Sequence, residues 1–382
     1  MSQFSANSRI FTPPAGAATP VSNFIQVAAA YFSGEAAPLI RPDLSNGHDS
    51  IHKRASGDVP PQGFHCLKDA LVGHEGIVYS SDRRIFAPPD VMPAFPLDVL
   101  HQRIARNDDQ DPAVAVFAAP PSSFRVLDEN FTYVLVTKAG ESVYGHWIID
   151  MMPRIWLFQK YAHLFQKPFR FLVTKQSPEW AFKMMSDGLG ISHDMIEVWH
   201  DRMETVHVRD LVVPSILRTD FAFSPLVNLF ADSVRQRLQI SEDPGEPHRF
   251  FITRENVHSW SPRAIGNRSD ILDVLQQHGV ELLDPAALPW PEQVQRFNQA
   301  TLAAGEFGSG LHTTLFAGRR TANLVLAYSH MNALQSAIAA VRGQPIGYLG
   351  PTHEEVRDGC RVCTYDPNAL SDMLTALAEA TA

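Results

Sequence analysis

The chain is most constrained by an alternation that runs through it twice. Short apolar runs rich in Val, Ile and Phe are separated by amphipathic segments of ten or more residues, and the series breaks at Ser241-Glu242-Asp243-Pro244-Gly245-Glu246-Pro247. Apolar runs bounded by turn residues read as buried strands, and the longer periodic segments between them as helices. Before the break the pattern predicts strands over 131–136, 169–173, 196–199, 206–208 and 210–214, with helices over 178–189 and 223–240. After it come strands over 249–253, 280–283, 300–304 and 323–327, helices over 269–278 and 291–299, and a turn with helix over 308–317. Strands that alternate with helices of this length pair in parallel and are covered on both faces. The expectation is an α/β protein of two doubly wound, Rossmann-like lobes, 61–240 and 248–366, facing a cleft, followed by a C-terminal helix over 367–382. Residues 1–60 mix Pro, Ala, Ser and Gly with isolated apolar residues and read as a partly ordered arm.

Charge and cysteine usage narrow the function. With 32 basic against 41 acidic residues the net charge is −9. Nucleic-acid binding needs a broad basic surface, so no nucleic-acid partner is expected. A phosphorylated small molecule needs only one or two arginines and a helix N-terminus. Three cysteines form no disulfide framework. Cys360 and Cys363 make a C-x-x-C that lacks the second pair a zinc ribbon requires, so surface turn chemistry is expected there. No apolar run approaches the roughly 20 residues that span a bilayer. The N-terminus lacks a basic segment followed by an apolar core. The expectation is a cytoplasmic protein, free or resting on the inner membrane face.

Candidate chemistry lies in 143–156, Val-Tyr-Gly-His-Trp-Ile-Ile-Asp-Met-Met-Pro-Arg-Ile-Trp. On an α-helix His146, Asp150 and Arg154 share one face, an imidazole, a carboxylate and a guanidinium in a row. Pro153 removes a donor in mid-pattern and would kink the helix or end its first part. Either this is a buried pair that orders the core, or it is a general base with its orienting partner. Asp109-x-Asp111 matches a metal-binding D-x-D superficially, but it follows Arg103-Ile104-Ala105-Arg106 rather than a buried strand and reads as a solvated turn.

Three motifs in order carry a resemblance. Tyr144-x-His146-Trp147-x-x-Asp150-x-x-Pro153-Arg154 resembles the signature of glycosyltransferase family 61, in its bacterial capsular or exopolysaccharide branch. Phe251-Ile252-Thr253-Arg254 with Arg263-x-x-x-Asn267, and Gly305-Glu306-Phe307-Gly308-Ser309-Gly310-Leu311-His312, resemble its second half. The match covers roughly 130–330. It implies an inverting, two-lobe sugar transferase of the GT-B type, moving a sugar from a nucleotide-sugar donor to a polysaccharide or lipid-linked glycan acceptor. No metal and no other cofactor is expected. Asp150 is the first choice for the base, with His146 orienting it or serving as the base itself, and Glu306 is the rival. Arg254, Asn267 and Arg263 or Arg268 would hold the diphosphate, with Gly308, Ser309 and Gly310 offering backbone N–H groups and His312 a further donor. Tyr144, Trp147 and Arg154 would line the acceptor side. The sequence departs from the family at Phe307, where histidine is common, at Thr313, where asparagine is usual, and at Arg268, where an acidic residue is more common. Two other readings stand beside this one: a catalytically degenerate glycan- or nucleotide-binding protein, and a metal-dependent transferase using Asp109 and Asp111.

Overall fold

The computed structural model describes residues 23–34, 39–44, 48–92, 94–106, 111, 116, 123–200, 204–241, 248–254 and 262–381. The chain is mixed α/β and divides into two compact units, Met1–Tyr31 with Asp58–Asp220, and Phe32–Gly57 with Phe221–Ala382. Among the described residues no helix is long and apolar enough to cross a membrane.

In the first unit four parallel strands lie in the order Ile196–Trp199, Phe169–Thr174, Thr132–Leu135, Val206–Pro214. Numbered by appearance in the chain this is 3-2-1-4, so the direction of winding reverses between Thr132–Leu135 and Val206–Pro214. The sheet is not wholly parallel, as the doubly wound expectation requires. Gln62–Val72 pairs antiparallel with Val206–Pro214, and Val78–Tyr79 and Ile85–Phe86 continue antiparallel beyond it. Asn23–Ala28 also pairs with Gln62–Val72, so part of the expected N-terminal arm is a strand of this sheet. Leu67, Tyr133, Leu135, Leu172, Val208 and Leu211 meet in its core.

The second unit has a sheet whose five strands are all parallel, in the order Glu281–Leu283, His248–Ile252, Ala300–Glu306, Ala322–Leu326, Ile346–Leu349. By appearance this is 2-1-3-4-5, and the winding reverses between His248–Ile252 and Ala300–Glu306. The C-terminal helix, Pro367–Glu379, buries Leu370, Met373, Leu374 and Leu377 against Phe251, Leu324 and Leu326. Each such side chain contributes about 1.5–3 kcal/mol by leaving water. Residues 39–44 pack here too, with the Ile40 N–H bonded to the Ile346 carbonyl at 3.0 Å. The division at Asp220 and Phe221 lies upstream of the expected break, so the helix read over 223–240, observed as Leu226–Arg237, sits in the second unit. Residues 242–247 lie outside those described. Cys360–Thr364 is a strand rather than a turn, paired with His353–Arg357, and its cysteines, three apart, project to opposite faces.

Candidate active site

The helix that carries the polar row is interrupted. An α-helical turn, Tyr144–His146, leads into a π-helical turn, Trp147–Met151, and α-helix resumes over Met152–Tyr161. The Met152 N–H reaches the Trp147 carbonyl, five residues back. Pro153 explains the widening. It has no N–H for the Ile149 carbonyl and its ring would press on that group, which a wider preceding turn relieves. One extra residue in a turn rotates everything beyond it by about 100°. His146 and Asp150 still meet, with Nδ1 2.8 Å from Oδ2. Arg154 is carried off the stripe into the core, where it is 1% exposed and donates to the carbonyls of Val136 and Val91. Trp147 is wholly buried and donates Nε1–H to the Glu141 carbonyl at 2.7 Å. Neither residue lines an open face, contrary to the acceptor-side expectation. Tyr144 is half-buried, its ring edge-on to Trp180 at 5.7 Å.

Asp150 is wholly buried and gathers three partners. Arg218 grips both oxygens, Nε to Oδ1 at 2.7 Å and Nη2 to Oδ2 at 3.1 Å, while the Lys138 ammonium stands 3.0 Å from Oδ2 and His146 completes the set. Lys138, His146 and Asp150 follow the strand Thr132–Leu135, and Arg218 follows Val206–Pro214. They meet beyond the carboxyl ends of the two strands between which the winding reverses, where open α/β sheets bind ligands. Burial alone would push the Asp150 carboxyl up, but Arg218 and Lys138 hold it well below the usual carboxylate range. Burial and the Lys138 ammonium depress the His146 imidazole. The ring is therefore neutral near pH 7. Because Nδ1 lies closer to Asp150 than to Lys138 Nζ, at 2.8 against 3.4 Å, its proton sits on Nδ1 and its lone pair on Nε2. About a third of the side chain is open to solvent.

The second unit builds a different cluster at its own reversal point. Arg254 follows His248–Ile252, Glu306 ends Ala300–Glu306 and Tyr328 follows Ala322–Leu326. The Arg254 guanidinium lies against Gly308 so closely that a Cβ there would overlap it, and Arg263 Nη2 stands 3.5 Å from the same point. Arg263 also covers the Tyr328 ring at 4.4 Å, and among the described residues its buried Nε has no hydrogen-bond partner. Burial pushes the Glu306 carboxyl up against the pull of Arg254, Arg263 and Arg268. Burial and the adjacent Arg263 depress Arg254. Among the described residues, Arg254 and Arg263 thus converge on the Gly308 turn with the Glu306 carboxylate close by, an arrangement suited to an anion. Gly308, Ser309 and Gly310 are half-exposed at the start of a 3-10 helix, Ser309–Phe316, whose first N–H groups have no acceptor within the helix.

Of two further residues expected at the phosphate, one is taken up by the backbone and the other is buried. Asn267 clips the chain to the Tyr365 backbone, donating to its carbonyl at 2.8 Å and accepting from its N–H at 3.1 Å. His312 is 7% exposed within the 3-10 helix. Of the D-x-D, Asp109 lies outside the described residues and Asp111 is held by Arg103 through two contacts of 2.8 Å. Lys138, Arg218 and Tyr328 escaped the sequence reading. A signal for each existed, since all three follow a predicted strand within five residues, where the carboxyl-end rule looks for ligand-binding groups.

Residues 144–324, which hold His146, Asp150, Arg218, Arg254, Arg263 and Glu306, match the family model described as Glycosyltransferase 61. This stretch belongs to glycosyltransferase family 61. Membership implies glycosyltransferase activity in general, with a sugar donor and a glycan acceptor. No curated protein matches this chain. Among solved structures, a metal-soaked Flv1 flavodiiron core from Synechocystis sp. PCC6803 is 9% identical and aligns over 95% of this chain and 100% of that one, at a TM-score of 0.23. That score is too low to bear on fold or function.

Proposed function

We propose that the protein is an inverting glycosyltransferase in which His146 is the general base and the arginine cluster of the second unit holds the nucleoside diphosphate of the donor. The pair His146–Asp150 carries the reading: a neutral imidazole whose Nδ1–H is fixed on a buried carboxylate presents its Nε2 lone pair to a proton. Asp150 itself is unsuited to the role first expected of it, because a carboxylate clamped by two cations binds a proton too weakly. In a single displacement the acceptor oxygen attacks the anomeric carbon as its proton passes to Nε2. The bond from that carbon to the diphosphate breaks, its electron pair leaves on the phosphate oxygen, and the anomeric configuration inverts.

The Arg254 and Arg263 guanidiniums beside Gly308 offer positive charge to a diphosphate, which supports its departure without a metal. Glu306 sits among these cations as their counter-charge. A polysaccharide or lipid-linked glycan is the proposed acceptor, and the three unpaired cysteines suit a reducing cytoplasmic compartment. The test is release of free nucleoside diphosphate from a panel of UDP-, GDP- and dTDP-sugars. Turnover should appear with one nucleotide class, survive EDTA, and fall by about 10²–10⁴ in His146→Ala. No turnover with any donor would favour a binding protein. Loss in EDTA, restored by Mg²⁺ or Mn²⁺, would bring back a metal site.

A further inference from the structure

The loop at residues 137–140 runs between two glycines pressed against other groups. Behind it is Gly76, left-handed at φ 70°, where a Cβ would overlap the Thr137 carbonyl oxygen and approach the Lys138 Cα to 3.3 Å. In front, Gly140 at φ 90° faces the imidazole of His146. A Cβ at 140 would stand 2.5 Å from Cδ2, 3.0 Å from Nε2 and 3.2 Å from Cγ of that ring. The first distance is below any ordinary carbon–carbon contact. Neither side can yield easily. The ring is tied through Nδ1 to Asp150, which Arg218 clamps in turn. The loop is backed by Gly76 and joined to the helix by the Val143 N–H on the Gly140 carbonyl at 2.9 Å. The same loop supplies Lys138, which holds Asp150 and the Ala139 carbonyl together.

We infer that Gly140 is a positioning residue for His146, its bare Cα being what lets the imidazole stand with Nδ1 on Asp150 and Nε2 free to take the acceptor's proton. This rests on the reading of His146 as the base. An alanine at 140 pushes the ring off Asp150, so the Nδ1 proton loses its fixed partner and the lone pair loses its aim.

The experiment is a cycle of Gly140→Ala, His146→Ala and the double variant, each assayed for thermal unfolding, for UDP and GDP affinity, and for turnover of the fastest nucleotide sugar in the panel. Gly140→Ala should lower turnover at least tenfold, change nucleotide affinity less than twofold, shift the acid limb of the pH–rate profile, and lower the melting temperature. In the His146→Ala background it should change turnover less than twofold, and most of its melting-temperature loss should vanish. Near-normal turnover in Gly140→Ala, or an equal melting-temperature loss in both backgrounds, overturns the inference, the latter because strain in the φ 90° backbone then accounts for the whole effect. Should Gly140→Ala fail to fold while the double variant folds, the inference stands; if neither folds, it falls. Failure of the base reading shows separately, as normal turnover in His146→Ala, and the melting temperatures still report whether Gly140 seats the ring.

Discussion

Replacing Asp150 with asparagine keeps the side chain's shape and removes the charge on which Arg218, Lys138 and His146 converge. Two cations are then left in a buried place with no anion. Breaking a buried ion pair from one side typically costs about 3–5 kcal/mol. For a unit of this size each kcal/mol lowers the melting temperature by about 2–4 °C, so Asp150→Asn should melt roughly 6–20 °C below the parent. Turnover of the folded fraction should fall by about 10²–10⁴, because His146 loses the group that fixes its tautomer. The sign with pH follows from the depressed Asp150 carboxyl. A group whose pKa is lowered by folding stabilises above its unfolded value, about 3.9, and that contribution disappears as pH falls through the lower folded value. The gap between parent and variant should therefore be constant from pH 5 to 8 and close only below about pH 4. Calorimetry and turnover on the same preparations decide the matter. A melting temperature within 2 °C of the parent would refute the argument that this carboxylate neutralises buried charge, whatever happened to the rate.

Arg254→Ala should weaken binding of the matching nucleoside diphosphate by about 2–5 kcal/mol in titration calorimetry, since it removes a partly desolvated cation that lies on Gly308. Unchanged affinity in a folded variant would move the phosphate elsewhere. Lys138→Met should raise the His146 pKa, because the ammonium is one of the causes of its depression, and so carry the acid limb of the pH–rate profile to higher pH. An unmoved limb would mean that the imidazole does not govern it.

The fold of the second unit was largely legible because its central strands, Ala300–Glu306 and Ala322–Leu326, are buried on both faces and stand out as apolar runs. The observed Ala300–Glu306, Ala322–Leu326 and Glu281–Leu283 lie within two residues of the pattern's prediction. Where legibility failed, the periodicity itself was missing. Leu334–Arg342 is Ala-rich and buries Gln335 and Ser336 as well as Leu334, Ala337 and Ile338, so it shows no polar face to reveal a helix. Gln62–Val72 carries Lys68 and Asp69 in mid-strand. Asp69 is left-handed at φ 52°, which breaks the two-residue alternation opposite Arg209. The two charges are absorbed by the partner strand, where Arg209 pairs with Asp69 and Lys68 with Asp210. No local reading supplies those partners.

At the candidate site the same limit takes a sharper form. His146 and Asp150 could be paired from sequence because four residues of helix bring them together whether or not the next turn widens. Arg154 could not be placed, because its position depends on the turn that Pro153 opens, and a residue added to that turn exchanges a cleft-facing guanidinium for a buried one. The cation that actually grips Asp150 comes from 68 positions away, on Arg218. Only strand order makes Arg218 a neighbour: it follows the fourth parallel strand while Asp150 follows the first, and a 3-2-1-4 sheet sets those two side by side. A sheet ordered 1-2-3-4 would hold the same strands and the same helix, yet it would put two strands between Asp150 and Arg218. Lys138 would then be the one cation on the carboxylate, beside the neutral His146, and the proton affinity of Asp150 would rise. How tightly Asp150 can hold a proton is thus decided by the order of the strands as much as by the helix on which it stands.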